Sequence, residues 1–301
     1  MKIFKIVFLF VIAVLLVLVF IYFSNIGQIS LANHTNKLKI AKTEKIETDI
    51  NSIDILWESG EVKIFKTDKN SINIVQKTPS NLKKERQFSI NVDKDRLVIK
   101  DNNKNGIFKW FQKGSVLEVY IPDKKYNIFN VKCYIGVIES DFLRAEKFTG
   151  ELTTGIMKLN GDFYDANINT KSGSIKSENL LCHNLKISTT SGKIELKGDF
   201  KNLNLHVTSG NAQIHSNTVL NKFFCNIASG SAVLVLPENQ GVTLNSSVQS
   251  GSISNDFGDY SSRNNTKEPF NTSVQSGDGQ AVFSVLITSG TLAIEKDAGF
   301  R

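Results

Sequence analysis

Apolar and polar residues alternate with a period of two through most of this chain, and a small residue followed by glycine punctuates the alternation at near-regular intervals. Leu185, Ile187 and Thr189 precede Gly192, Leu203, Leu205 and Val207 precede Gly210, and Phe223, Cys225 and Ile227 precede Gly230. After the glycines the second and fourth positions are apolar: Ile194 and Leu196, Ala212 and Ile214, Ala232 and Leu234, Leu292 and Ile294. A period of two marks a strand with one buried face, so each unit predicts a strand on either side of its glycine. The steps at Gly155, Gly173, Gly192, Gly210, Gly230 and Gly251 lie 18 to 21 residues apart, and a further Ser289-Gly290 follows. The same register at Ile53, Ile55, Trp57, Gly60, Val62 and Ile64, and at Phe129, Val131, Cys133, Gly136 and Ile138, starts the array early.

The alternations before and after each glycine are out of phase, because an odd number of residues separates the last inward position from the next. A straight strand keeps its phase, so the chain must bend or bulge there, and glycine accepts the positive φ and close backbone approach that a bend demands. The units leave no room for a crossover helix, and their polar stretches, NGD at 160–162 and KGD at 197–199, read as turns. The chain itself then coils. These features predict an all-β ectodomain built as a parallel β-helix (β-solenoid) of about 19-residue coils, whose stacked interior one repeat alone cannot bury. An antiparallel sandwich or meander shares the short strands and regular turns; the recurrence of the phase shift at the same place in every unit favours the solenoid.

Residues 66–123 are less periodic, with strands expected around Ile72–Val75, Phe88–Ile90, Leu97–Ile99 and Leu117–Ile121, and form a widened opening section or cap. Asn255 to Asn271 is a polar insertion, and GDGQAVFSVLITSGTLAIEK after it reads as a hairpin-like closing unit. At the other end, Ile6 to Phe23 is uncharged and apolar over the length a helix needs to cross a bilayer. A cleaved signal peptide has a shorter apolar region closed by a small-residue site, so an uncleaved transmembrane helix is expected. Lys2 and Lys5 precede the run and no Lys or Arg follows until Lys37, which puts the N-terminus in the cytoplasm and the remainder outside. The expected organisation is a stub and membrane helix over 1–24, a linker over 25–42, an N-terminal β section with the first coils over 43–150, and regular repeats with a C-terminal cap over 151–301.

SGEVKI at 59–64, VYIPDKKYNIFNVKCYIGVI at 119–138, the successive Ser-Gly steps, and GDG at 277–279 with TSGTLAI at 288–294 give the chain a resemblance to a known group. It resembles the adhesin-like family of β-strand-repeat domains without an assigned function, among them LiaG-like proteins of envelope-stress operons in Gram-positive bacteria. The resemblance covers nearly all the ectodomain and implies a right-handed parallel β-helix. It carries over no catalytic residue.

Charge is unevenly spread. Residues 37–150 hold 22 Lys and Arg against 16 Asp and Glu, whereas 151–301 hold 12 against 13. A basic section next to the anchor favours anionic lipid or acidic wall polymer as a partner, although a solvated lysine-rich face accounts for the same counts. Within it, Lys104, Lys109 and Lys113 surround Phe108, Trp110 and Phe111. Cations beside aromatics suit an anionic surface, so Lys104, Lys109, Trp110, Phe111 and Lys113 are the candidate contact; the same aromatics would also serve to close an open end of the solenoid.

Some β-helices cleave polysaccharides, which needs acid and base side chains clustered on one outward face. The outward positions here are mostly amides, hydroxyls and lysines, such as Asn167, Asn169, Lys186, Ser188, Asn204 and His206. Asp256 with Asp259 is the nearest approach to a carboxylate pair, and Cys182-His183 or His206 with His215 the nearest to a thiol or metal site, without zinc-type spacing. Cys133, Cys182 and Cys225 are an odd set with no CxxC, expected free, the first and third inward and Cys182 in a connecting turn. The sequence therefore points to a non-catalytic, membrane-anchored cell-envelope protein that binds or adheres, and the resemblance implies a link to envelope stress. Its expected partners are the membrane and an anionic lipid, acidic wall polymer or membrane protein, with no cofactor and no nucleic acid. The alternative is a surface lyase or hydrolase acting on polysaccharide.

Overall fold

The computed structural model describes residues 38–102, 115–258, 260–264 and 270–297. Ile6–Phe23 lies outside them, and among the described residues no helix is long and apolar enough to cross a membrane. The strands are β1 (Lys39–Ile46), β2 (Ser52–Thr67), β3 (Ile72–Thr78), β4 (Ser89–Asp93), β5 (Arg96–Lys100), β6 (Ser115–Pro122), β7 (Lys125–Ser216), β8 (Lys222–Leu236), β9 (Val242–Asn255), β10 (Tyr260–Asn264), β11 (Phe270–Ser276) and β12 (Ala281–Lys296). A single 3₁₀ turn, Lys84–Arg86, is the one helical element among the described residues.

β7 spans 92 residues of unbroken extended chain, far beyond the usual strand length, because it turns through successive coils without losing its pairing. Its inward side chains recur as the sequence pattern requires: Leu185, Ile187, Ile194, Leu196, Phe200, Leu203, Leu205 and Val207 are all buried. The glycines form one column. A Cβ added to Gly136, Gly155, Gly173, Gly192, Gly210 or Gly230 would overlap the carbonyl oxygen of the glycine one coil before it. The bend thus stacks backbone on backbone, and Gly155 (φ 134°) and Gly60 (φ 115°) also sit in a region that side chains avoid.

The coils pair in parallel, β2 with β7, β7 with β8, β8 with β12 and β12 with β9, which excludes the antiparallel sandwich. Spatial and sequence order part company at both ends. β2 lies between β7 on one side and β5 and β6 on the other, with Ser52–Leu56 against Arg96–Lys100 and Gly60–Thr67 against Ser115–Pro122. β5 and β6 together supply one rung, beyond which β3 and β1 add antiparallel strands. At the far end β12 is inserted between β8 and β9, pairing Gly290 with both Gly230 and Gly251.

That insertion corrects the hairpin expectation for the C-terminal unit. The left-handed turn at Gly277 (φ 59°) and Gly279 (φ 64°) redirects the chain, and β12 then carries the repeat's own register through Ile287, Gly290, Leu292 and Ile294. A segment in register with the other coils buries its apolar face by stacking among them, not by folding on itself. Phe223 and Phe283 meet edge to face across this junction, centroids 5.3 Å apart. β11 and β10 then cover the outer edge of β9 antiparallel.

Cys182 is the second correction. It lies inward in β7 beside Leu180, not in an exposed turn, and its thiol is within 4.0 Å of the Tyr164 carbonyl. Burial pushes all three thiols up to about 12, Cys133 and Cys182 with weaker opposing backbone hydrogen bonds. At pH 8 the reactive thiolate is scarce in each. Maleimide is therefore expected to label the folded protein slowly at all three and the urea-unfolded chain rapidly; fast labelling of native Cys182 would mean that its side of the coil opens to solvent.

Candidate binding face

The outward side chains of each coil align into columns one strand spacing apart. On the strand before the glycine, Asp165, Asn184 and Asn202 form one column tied by its own amides: Asn184 Nδ2 donates to Asp165 Oδ1 at 2.8 Å, and Asn202 Nδ2 to Asn184 Oδ1 at 2.8 Å. The next outward column runs through Asn167, Lys186, Asn204, Phe224 and Ser284. Together the two columns line a groove of about 750 Å³ that spans several coils. Phe224, 45 % exposed, and Val282, 46 % exposed, give its C-terminal end an apolar wall. Lys147, Lys186 and Lys222 are exposed within it.

The strand after the glycine carries a different surface. There cations and carboxylates pair across coils, with Lys158 against Glu139 at 3.4 Å and Lys176 against Glu195 at 3.0 Å, and Glu195 also pairs with Lys193. These hydrogen bonds and charges hold the Glu195 carboxyl below the usual carboxylate range. Between the two faces runs a rail of exposed hydroxyls, Ser172, Ser191, Ser209, Ser229, Ser289 and Ser250 in spatial order.

The other candidates named from sequence are dispersed. Cys182 points into the core and His183 out, where its ring stacks on Tyr164 at 4.7 Å, as adjacent residues of a strand must. His206 belongs to the outward face before the glycine, whereas His215 lies past it, with Nε2 3.0 Å from Asp297 Oδ2. Asp256 caps the end of β12: its N–H donates to the Ile294 carbonyl, and its Oδ2 accepts from the Lys296 N–H at 3.4 Å. Asp259 lies outside the described residues, as do Lys104, Lys109, Trp110, Phe111 and Lys113. Among the described residues no three His, Cys, Asp or Glu side chains are grouped to hold a metal.

The sequence had already placed Asn167, Lys186 and Asn204 outward. The convergence of Lys147 and Lys222 on the same groove was missed, although their offsets of eight residues before Gly155 and Gly230 carried the signal.

A parallel stack of glycine-bent coils with polar outer columns defines an all-β, adhesin-like repeat domain. The chain belongs to the Toastrack DUF4097 family, whose model matches residues 50–295. Among solved structures it is similar to a candidate adhesin from Parabacteroides distasonis, with 11% identity, a TM-score of 0.47, and 86% of this chain and 98% of that one covered. It is also similar to a candidate adhesin from Bacteroides fragilis, at 15% identity, a TM-score of 0.39 and coverage of 86% and 97%. A candidate lipid-binding protein from Parabacteroides distasonis gives 13% identity, a TM-score of 0.40 and coverage of 84% and 96%. Comparison with curated proteins gave no match.

Proposed function

We propose that this is a non-catalytic cell-envelope protein, held in the membrane by the Ile6–Phe23 helix with its N-terminus cytoplasmic, which presents the toastrack outside the cell to bind an extended envelope polymer or surface. The observation that carries this reading is the periodic outer face, in which polar groups repeat at one strand spacing, the carboxylate of Asp165 followed by the amides of Asn184 and Asn202, beside the rail of hydroxyls from Ser172 to Ser250. A rigid array of like groups matches a ligand that is itself a repeat, and binding groups held on paired strands lose little entropy on contact. The separation of Cys182 from His183 and of His206 from His215 favours a binder over a surface lyase or hydrolase. The basic section near the anchor, and the segment with Lys104, Lys109, Trp110, Phe111 and Lys113, would add electrostatic attraction to anionic lipid, acidic wall polymer or a membrane protein, and a role in envelope stress is part of this proposal, supported by the resemblance to LiaG-like proteins.

The test uses full-length protein in cells stripped of wall. Added protease is expected to digest the toastrack while the N-terminus stays uncleaved in the membrane fraction. Purified protein is expected to retain wall polymer without shortening it. Release of a mature chain beginning near Asn33, or turnover of the polymer, would overturn the reading.

A further inference from the structure

Exposed lysines are usually solvated, and several on this molecule pair across coils: Lys132 with Glu151 at 2.8 Å, Lys158 with Glu139 and Lys176 with Glu195. Lys147, Lys186 and Lys222 are instead gathered in one groove. Each is exposed in the groove, and none forms an ion pair among the described residues. Lys186 stands between Asn167 and Asn204 and Lys222 beside Asn202, whereas Lys147 stands one coil from the groove's one carboxylate, Asp165, which Asn184 also engages. The three lysines outnumber that carboxylate, so the groove carries net positive charge where the face beyond the hydroxyl rail is balanced.

Their placement is periodic as well. Lys147 stands in the coil of Gly155, Lys186 in that of Gly192 and Lys222 in that of Gly230, which is every second coil. At ~4.8 Å per strand, the coils that carry these cations recur every ~10 Å along the groove, with Lys186 standing two residues further along its strand than Lys147 and Lys222. The intervening coils present amides, Asn167 and Asn204. Phe224 then offers an open ring beside Lys222, a platform for the C–H face of a sugar.

We infer that this groove binds a linear acidic polysaccharide whose carboxylates fall on alternate sugars, with Lys147, Lys186 and Lys222 taking the carboxylates, the amides the hydroxyls between them, and Phe224 one ring face. The inference rests on the binding function proposed above and names the ligand class of that face. An extended sugar advances by about one strand spacing, so a carboxylate on every second sugar keeps step with a lysine on every second coil. An acidic peptide fits less well, because extended peptides add to free strand edges and the backbone here is already paired on both sides by neighbouring coils. A lipid surface needs its cations and rings on a protruding tip, whereas these line a recess.

Full-length protein in neutral detergent, immobilised and tested by interferometry, is to be presented with hyaluronate oligosaccharides, polygalacturonate, neutral dextran and phosphatidylglycerol vesicles. Hyaluronate is expected to bind best, in a salt-sensitive way, and dextran to be ignored. The triple variant Lys147→Gln, Lys186→Gln, Lys222→Gln should weaken hyaluronate binding by roughly tenfold or more and flatten its salt dependence, with an unchanged melting curve. Phe224→Ala should weaken it several-fold without altering the salt dependence. Lys158→Gln with Lys176→Gln, on the balanced face, should leave it unchanged. If the triple variant binds as wild type, or the balanced-face variant loses as much, the groove assignment fails while the envelope-binding reading stands. Preference for vesicles overturns the polysaccharide class, preference for polygalacturonate overturns the alternate-sugar spacing, and retention of none of the four probes overturns the inference, while the envelope-binding reading is decided separately by retention of wall polymer.

Discussion

Replacing Gly155 by alanine is expected to lower the melting temperature by more than 10 °C, with insoluble protein as the main product of expression. Two independent costs act at this position. The backbone is at φ 134°, where a side chain is strained, and the new Cβ would overlap the carbonyl oxygen of Gly136 in the adjacent coil. Relief requires the coils to separate, which breaks the parallel pairing on both sides of the bend and opens the core around Met157 and Leu152. Substitutions with several such mechanisms reach ~4 kcal/mol or more, and a domain of this size loses roughly 2–4 °C per kcal/mol. Gly258→Ala is the control. Its Cβ would find nothing nearer than Ser276 Cβ at 3.4 Å, so its melting curve should match wild type within about 2 °C. Equal melting of the two variants would show that the glycine column is a compositional habit and not a packing requirement.

The same column explains how much of the fold was legible in the sequence. Inward positions counted from each glycine, such as Leu203, Leu205 and Val207, are fixed by strand alternation, and alternation is local, so they read correctly. The identity of the neighbouring coil is not local. Gly230 sits against Gly290, not Gly251, because β12 has the register of any other coil and fits between β8 and β9; equivalent repeats carry no mark of which neighbour they will choose. β2 is tucked inside β5 and β6 for the same reason. Cys182 lies beyond the positions that the glycine register fixes, on a further buried side formed with Leu180, Gly198 and Phe200. As for the binding face, outward alternation identified Asn167, Lys186 and Asn204, but the gathering of Lys147, Lys186 and Lys222 into one groove depends on which coils lie adjacent. Only the stack fixes that.

Ending the chain after Gln280 is expected to abolish the folded state altogether. β12 supplies Ala281, Phe283, Val285, Ile287, Leu292 and Ile294 to the core, all buried. At roughly 1.5–3 kcal/mol for each of the larger side chains, their combined loss is comparable to the whole 5–15 kcal/mol that a domain has to spare. The loss is not confined to an end. β12 is paired on both sides, from Val282 to Lys296 with β8 and from Ala281 to Ile294 with β9. Its removal therefore leaves two long parallel strands with unpaired backbone facing an empty slot, and uncovered edges of this kind recruit other chains. The truncated protein should be rapidly proteolysed and elute as aggregate in size-exclusion chromatography. Phe283→Ala, which removes only the ring packed on Phe223, should instead remain soluble and lose ~3–5 kcal/mol. A synthetic peptide of residues 281–296 added during refolding should recover monomeric, protease-resistant material from the truncated chain, because its register matches β8 on one side and β9 on the other. A truncated chain that melts cooperatively near the wild-type temperature without the peptide would mean that β8 and β9 close directly on each other and that β12 is a dispensable insert.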